Sequence, residues 1–305
     1  MGKYVGKRIL ISLVTLWLVA TLTFGLMFLV PGGPFLAEKA PSEATLKALN
    51  EKYGLDQPKI IQYKNYMVKI LQGDMGLSIK QRGRTVKQII TTGFKVSARI
   101  GGLAILLAVC VGVPFGSIAA LNRGKWIDQV IIVISTCGIA VPGFVVSTVL
   151  MMIFSVQLNL LPTYGLTSPL HYIMPVAALA FFPSAYISRL MRSSMLEVLG
   201  QDYMRTAKAK GLSWFMMLFK HALRNAILPV VTYLGPLLAY TLTGGFVVER
   251  IFTIPGLGNE FISSILNRDY TMIMGTTIFL AALLITMNLL VDIVYKLVDP
   301  RIKLK

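Results

Sequence analysis

Asp202-Tyr203-Met204-Arg205-Thr206-Ala207-Lys208-Ala209-Lys210-Gly211 is the centre of a polar island between two long apolar stretches. The island spans residues 189–224 and carries seven basic residues against two acids, Glu197 and Asp202. Chains that cross a membrane repeatedly join their helices by short connectors, so a connector this long and this charged needs a role of its own. Gly200 interrupts any helix arriving from the preceding apolar stretch. Asp202 then suits an N-cap, its carboxylate favoured by the dipole at that end. Residues 203–210 are good helix formers, and Gly211 supplies the left-handed conformation that stops a helix. Ser213 can cap a second helix over residues 214–225. The reading is helix, tight glycine turn, helix. On the first helix Tyr203, Thr206, Ala207 and Lys210 share a face at i, i+3, i+4, i+7. Small side chains there would admit a partner's groove, and Tyr203 would be the aromatic anchor. The competing reading, a helix resting on lipid, is weak because Ala207 and Ala209 bury little apolar area. The candidate docking set for a soluble partner is Asp202, Tyr203, Arg205, Thr206, Ala207, Lys210 and Gly211.

The rest of the chain is membrane material. Of 305 residues, 55% are hydrophobic and 14% charged, and the mean hydropathy is +0.70. A soluble domain carries roughly a quarter charged residues, so this chain cannot cover a water-facing surface. The net charge of +17 forms no dense run that would track nucleic acid. Its basic residues stand at the ends of apolar segments, where long side chains reach the head groups. Cys110 and Cys137 lie in apolar runs without metal-ligand spacing and read as small hydrophobes.

A span needs about 20 mainly apolar residues. Six segments qualify, at 9–30, 96–121, 129–157, 171–190, 227–248 and 272–298. The first follows Lys3, Lys7 and Arg8 but is too long for a signal-peptide core, and Pro31-Gly32-Gly33-Pro34 is a turn rather than a cleavage site. Arg123 and Lys125, the 189–224 island and the tail residues Lys296, Arg301, Lys303 and Lys305 lie on one side. Residues 158–170 on the other side hold no Lys or Arg. Both termini and the island are therefore expected in the cytoplasm. The segment 31–95, with eleven basic residues and five acids, falls outside, where long loops translocate regardless of charge. The expected fold class is an all-α polytopic membrane protein of six transmembrane helices. Its parts are residues 1–30 (N-terminus and first span), 31–95 (external segment) and 96–305 (a five-helix core containing the loop 191–226).

Within the external segment Leu46, Leu49, Ile60, Ile61, Tyr63, Tyr66, Met67, Ile70 and Leu71 recur at helical spacing, broken at Gly54 and Pro58 and stopped by Gly73. Two short helices are expected, serving as a cap on the bundle or as a landing surface for a delivery protein. The thirteen acids lie in loops or near span ends, and His171 and His221 stand at span boundaries. Asp292, about two turns inside the sixth, is the deepest carboxylate and is expected in a structural pair, which disfavours proton or sodium coupling. A non-transporting scaffold would keep the six helices but have no use for the 202–211 helix.

Several stretches together resemble the permease subunits of ATP-binding-cassette importers, in the dipeptide, oligopeptide and nickel branch. Besides the island with its later Ile227-Leu228-Pro229, they are Tyr53-Gly54-Leu55-Asp56-Gln57-Pro58, Gly73-Asp74-Met75-Gly76-Leu77-Ser78, Val141-Pro142-Gly143-Phe144 and Leu161-Pro162-Thr163-Tyr164-Gly165. Val248-Glu249-Arg250-Ile251-Phe252, Pro255-Gly256-Leu257-Gly258, Arg268-Asp269-Tyr270 and Asp299-Pro300-Arg301 complete the set. The chain is most similar to the first of the two permeases of an oligopeptide importer. The resemblance implies a heterodimer with a second, homologous permease, two cytoplasmic P-loop ATPase subunits and an external substrate-binding protein, in a bacterial-type cell membrane. It makes 202–211 the coupling helix that receives work from the ATPases. ATP and Mg would be used by those partners, with no cofactor on this chain. A P-loop needs GxxxxGK[ST], and the Gly-Lys pairs at Gly2, Gly6 and Gly124 continue with Tyr4, Arg8 and Trp126. Peptides are the expected cargo, with nickel or another small solute as the alternative; no His, Cys or carboxylate cluster argues for a metal path.

Overall fold

In the computed structural model the described residues are 2–29, 33–35, 42–242 and 245–298. The side chains of Asp292 and Lys296, the tail residues Arg301, Lys303 and Lys305, and Asp299-Pro300 lie outside what is described, as do Pro31 and Gly32 of the expected turn. The described chain is helical. Its one β feature is an isolated antiparallel bridge between Leu77 and Thr85.

Five helical segments are long and apolar enough to cross a membrane: Gly6–Leu29, Val86–Leu121, Pro169–Leu199, Leu228–Ile251 and Tyr270–Val291. The first belongs to α1 (Gly2–Leu29), whose Leu10, Leu13, Leu22 and Leu26 project outward and are exposed. Between the first two spans come α2 (Glu43–Tyr53) and α3 (Lys59–Leu71). Ser42 caps α2 by accepting from the Thr45 N–H, and Gly54 ends it at φ 67°. Helix α3 packs back on the bundle: Tyr66, Met67 and Ile70 lie against Ala20, Met27, Met274 and Ile278. The Tyr63 hydroxyl is 2.7 Å from the Thr21 hydroxyl.

The second span is longer than its hydropathy suggests. Helix α4 (Val86–Leu121) starts ten residues before the expected 96 because Thr85 and Gln88 form a reciprocal capping box. Its first turns are too polar to read as membrane, yet Val86, Ile89 and Ile90 are buried against Leu257, Met272 and Leu280. The third expected span is not one continuous helix. Helix α5 (Trp126–Ala140) and α6 (Gly143–Leu150), the latter extended by a π-helical stretch Met151–Gln157, meet at a bend of 104°. The cause is local: Val141 is forced extended ahead of Pro142, which has no N–H to give.

A 3₁₀ turn, Pro169–Tyr172, leads into α7 (Ile173–Leu199), and α4 and α7 form the spine of the molecule. They approach closely because Gly112 and Gly116 of α4 face Ile187, Ser188 and Met191; a Cβ on Gly116 would stand 2.7 Å from the Met191 Cβ. After α8 (Asp202–Ala209), α9 (Trp214–Met216) and α10 (Arg224–Ala226), in and just past the island, the chain runs through α11 (Leu228–Leu242), α12 (Phe246–Ile251), α13 (Leu257–Leu266) and α14 (Tyr270–Val298).

Two buried carboxylates fix the irregular connections, and both lie in motifs singled out above. Glu249 accepts from the Ser97 hydroxyl at 2.6 Å and from the Asn259 N–H at 3.1 Å. Ser97 in turn accepts from the Leu257 N–H at 2.8 Å. Gly256 and Gly258 are required here, since a Cβ on either would collide with the Glu249 carboxylate. Asp269 accepts from the Ser78 hydroxyl and from the N–H groups of Ile79, Lys80 and Met272. These bonds satisfy an otherwise costly buried charge and tie the 77–81 segment to the start of α14.

Candidate coupling loop

The island folds as a continuation of α7. Its last turns carry Met191 and Met195, both fully buried, into the same cluster as Met204, Ala207, Met217, Ala222 and Ala226. Methionines fill this irregular joint well, being unbranched and adaptable. Helix α8 (Asp202–Ala209) follows after a single turn at Gly200-Gln201. Lys210 closes it, and Gly211 takes the left-handed φ of 75° with no neighbour around a Cβ. Ser213 accepts from the Met216 N–H and opens α9 (Trp214–Met216), a π-helical stretch Met217–Leu223 and α10 (Arg224–Ala226). The helix–turn–helix reading thus describes the backbone, with its second arm loosened into a π-helix. There the buried residues Met217, Ala222 and Ala226 are spaced five and four apart, which the wider turn accommodates.

Two expectations for α8 need correction. Asp202 is not the N-cap: Gln201 occupies that position in an extended conformation with no side-chain cap bond, and Asp202 is the first helical residue. Its carboxylate turns outward and stands 3.5 Å from Arg205. It still lies beside the N-terminal N–H groups, where negative charge is favoured. Ala207 does not face outward. It is 6% exposed and packs, with Met204, into the chain's own core. Its small size lets α8 lie close to the second arm rather than admitting a partner. Met204 and Ala207, three apart, share the side of α8 that the rest of the chain covers.

The remaining residues of the candidate set point away from the chain. Asp202, Tyr203, Arg205, Thr206, Lys210 and Gly211 are all exposed, together with Lys208. Tyr203 is also held in place, because its hydroxyl accepts from Asn225 Nδ2 at 3.0 Å across the two arms. The second arm exposes Trp214, Phe215 and Phe219, the last two rings 4.4 Å apart. This combination of oriented aromatic and basic groups on a rigid turn is suited to binding an apolar, acid-rimmed groove on another protein.

Sequence reading missed what holds the stem of the loop. Asp128, at the start of α5, is 1% exposed. Its two oxygens receive Arg192 of α7 in a fork, Nε at 2.6 Å and Nη2 at 2.8 Å, and the Gly124 N–H donates at 3.0 Å. The planar guanidinium and carboxylate match in this geometry, which fixes direction as well as distance. Arg192 was legible only as one basic residue of the island, since the pair is separated by 64 positions. The connection joins the base of the 189–224 loop to the α4–α5 turn.

Residues 112–304 match the family described as binding-protein-dependent transport system inner membrane component, and residues 1–107 match its N-terminal counterpart. The chain is 49% identical to a dipeptide transport system permease protein of Bacillus subtilis, over 100% of this chain and 99% of that one. It is 41% identical to an oligopeptide transport system permease protein of Haemophilus influenzae, over 99% and 100%. Among solved structures, the inward-facing methionine ABC transporter superposes with a TM-score of 0.56 at 14% identity, covering 70% of this chain and 97% of that one. An amino acid ABC transporter gives 0.50 at 20% identity, covering 71% and 95%. These structural likenesses speak to the fold.

Proposed function

This chain belongs to the inner membrane components of binding-protein-dependent transport systems, among the dipeptide and oligopeptide permeases, and on that premise we propose how it works. It is a multi-pass protein of the cytoplasmic membrane and a permease subunit of an ATP-binding-cassette importer. Its cargo is di- and oligopeptides, received from an external binding protein. It forms one half of the path, a second homologous permease forms the other, and two cytoplasmic P-loop ATPases supply the work. ATP and Mg are bound by those subunits. Both termini and the 189–224 loop face the cytoplasm, and residues 31–95 face outward beside the delivery protein.

The observation that carries this reading is the construction of the coupling loop. Its inner face, Met204 and Ala207, is packed into the chain, while its outer face, Tyr203, Arg205, Thr206 and Lys210, is exposed. A helix seated on one side and open on the other transmits force instead of absorbing it. When the ATPases close on ATP, they pull α8; the buried methionine joint carries the displacement into α7, and α7 carries it into α4 along their glycine contact. Hydrolysis releases the pull and the bundle returns. This is rigid-body switching between two packings.

The test is to tag the chain in its host, solubilise the membrane gently and identify what co-purifies by mass spectrometry. A second six-span permease with P-loop ATPases is the expected result. Recovery of the chain alone, or only with copies of itself, in every detergent tried would overturn the proposal.

A further inference from the structure

The outward faces of the spans are not alike. On α1 the exposed side chains are mainly aliphatic, Leu10, Leu13, Leu22 and Leu26 among them with Trp17 the aromatic exception, a surface suited to acyl chains. Helices α7 and α11 instead expose an aromatic, hydroxyl-bearing strip. On α7 it consists of Phe182 and Tyr186, one turn apart, with rings stacked at 6.2 Å and 18°. Tyr186 passes the strip to Tyr233 of α11, ring centroids 4.4 Å apart, and seven residues further Tyr240 is 75% exposed.

Tyr186 and Tyr233 alone would suit a Tyr belt at the membrane boundary. Tyr240 does not fit that reading. It lies twelve residues into α11 from Leu228, about 18 Å along the helix axis at 1.5 Å per residue, past the middle of a hydrocarbon core about 30 Å thick. Among the described residues, the Tyr186 and Tyr233 hydroxyls have no protein hydrogen-bond partner, and neither is sealed from the outside. Hydrocarbon offers a phenol nothing to bond, whereas water and peptide groups do.

We propose that the strip Phe182–Tyr186–Tyr233–Tyr240 lines the water-filled path and carries the cargo, which deepens the peptide-permease reading and rests on it. The chemistry suits a cargo of variable sequence. Each phenol hydroxyl both donates and accepts, as the peptide group does, and the ring faces receive apolar or cationic side chains without selecting among them. The strip has no ionised side chain until Arg189, exposed one turn beyond Tyr186 towards the coupling loop. A peptide can therefore slide along it without being trapped by a fixed charge.

The experiment uses the assembled complex in proteoliposomes, with Cys110 and Cys137 replaced by alanine. Single cysteines are placed at Phe182, Tyr233 and Tyr240, with Leu13→Cys and Leu22→Cys as lipid-facing controls. A membrane-impermeant thiosulfonate is applied with and without ATP. The strip cysteines are expected to react at least tenfold faster than the controls in one nucleotide state, and trialanine is expected to slow them. In parallel, the Tyr186→Phe/Tyr233→Phe pair, which preserves packing, should cut trialanine uptake on the order of tenfold, as loss of two hydrogen bonds would, with an unchanged melting temperature. Thiols as inert as the controls in both states, or cross-linked only to the second permease, would overturn the assignment. Failure of the unmodified complex to take up trialanine would instead strike the peptide reading itself.

Discussion

Replacing Arg192 with alanine should separate the stability of this fold from its coupling. The change leaves Asp128 buried, with a side chain 2% exposed, and only the Gly124 N–H to answer its charge. Removing one partner of a fully buried ion pair costs about 3–5 kcal/mol. The Arg192 side chain is 25% exposed, so water reaches part of the vacated site and a loss of about 2–3 kcal/mol is the better expectation. Adding Asp128→Asn removes the orphaned charge and should recover about half of that loss. It does not restore the forked contact that aims α7 at the coupling loop. The double variant should therefore melt between the single variant and the unaltered chain, while its complex hydrolyses ATP with reduced peptide uptake per ATP. The assays are thermal unfolding of the purified chain in nanodiscs, and uptake with ATP hydrolysis measured on the same reconstituted complex. An Arg192→Ala complex with unaltered melting and unaltered uptake would refute the reasoning.

Three other changes address the joints. Gly116→Ala places a methyl group against Met191 and the Ser188 carbonyl, and overpacking of this kind should lower stability by about 1–3 kcal/mol, read as a lower melting temperature. Glu249→Gln leaves one acceptor oxygen where Ser97 and the Asn259 N–H donate to two, so one of the two contacts is lost; the amides of Leu257 and Asn259 should exchange with deuterium markedly faster. Gly211 has open space around it but a left-handed φ, so Gly211→Asn should retain most uptake, whereas Gly211→Val, which meets only backbone strain of roughly 1–2 kcal/mol, should lose it.

Much of this architecture is legible without coordinates, for identifiable reasons. The spans announce themselves through composition, and the turns at Gly54, Gly211 and Ser213 through local chemistry that involves only near neighbours. Where a signal is local but polar, as in the first ten residues of α4, hydropathy hides a helix that the Thr85–Gln88 box makes plain. The bend at Val141-Pro142 is visible as a proline but not as a 104° break, because Pro114 and Pro183 look the same in sequence and stand inside the unbroken helices α4 and α7. Helical periodicity placed Ala207 beside Tyr203 and could not say which side of α8 the rest of the chain would cover. Residue types cannot reveal pairings such as Asp128 with Arg192, or Glu249 with Ser97 152 positions away. In each case a charge that reads as topogenic or loop-borne becomes structural only when distant helices converge on it.

The central claim is that the outer face of α8 receives the ATPase. Thr206 is exposed on that face, and its hydroxyl bonds only inward to the Asp202 carbonyl, so a photoreactive p-benzoylphenylalanine at position 206 can be introduced without disturbing the seated side. The measurement is irradiation of the transporting complex in host membranes, followed by mass spectrometry of the adduct. The account predicts a cross-link to a P-loop ATPase subunit, on a groove carrying acidic residues. An adduct confined to lipid, in a complex that still takes up peptide, would contradict it.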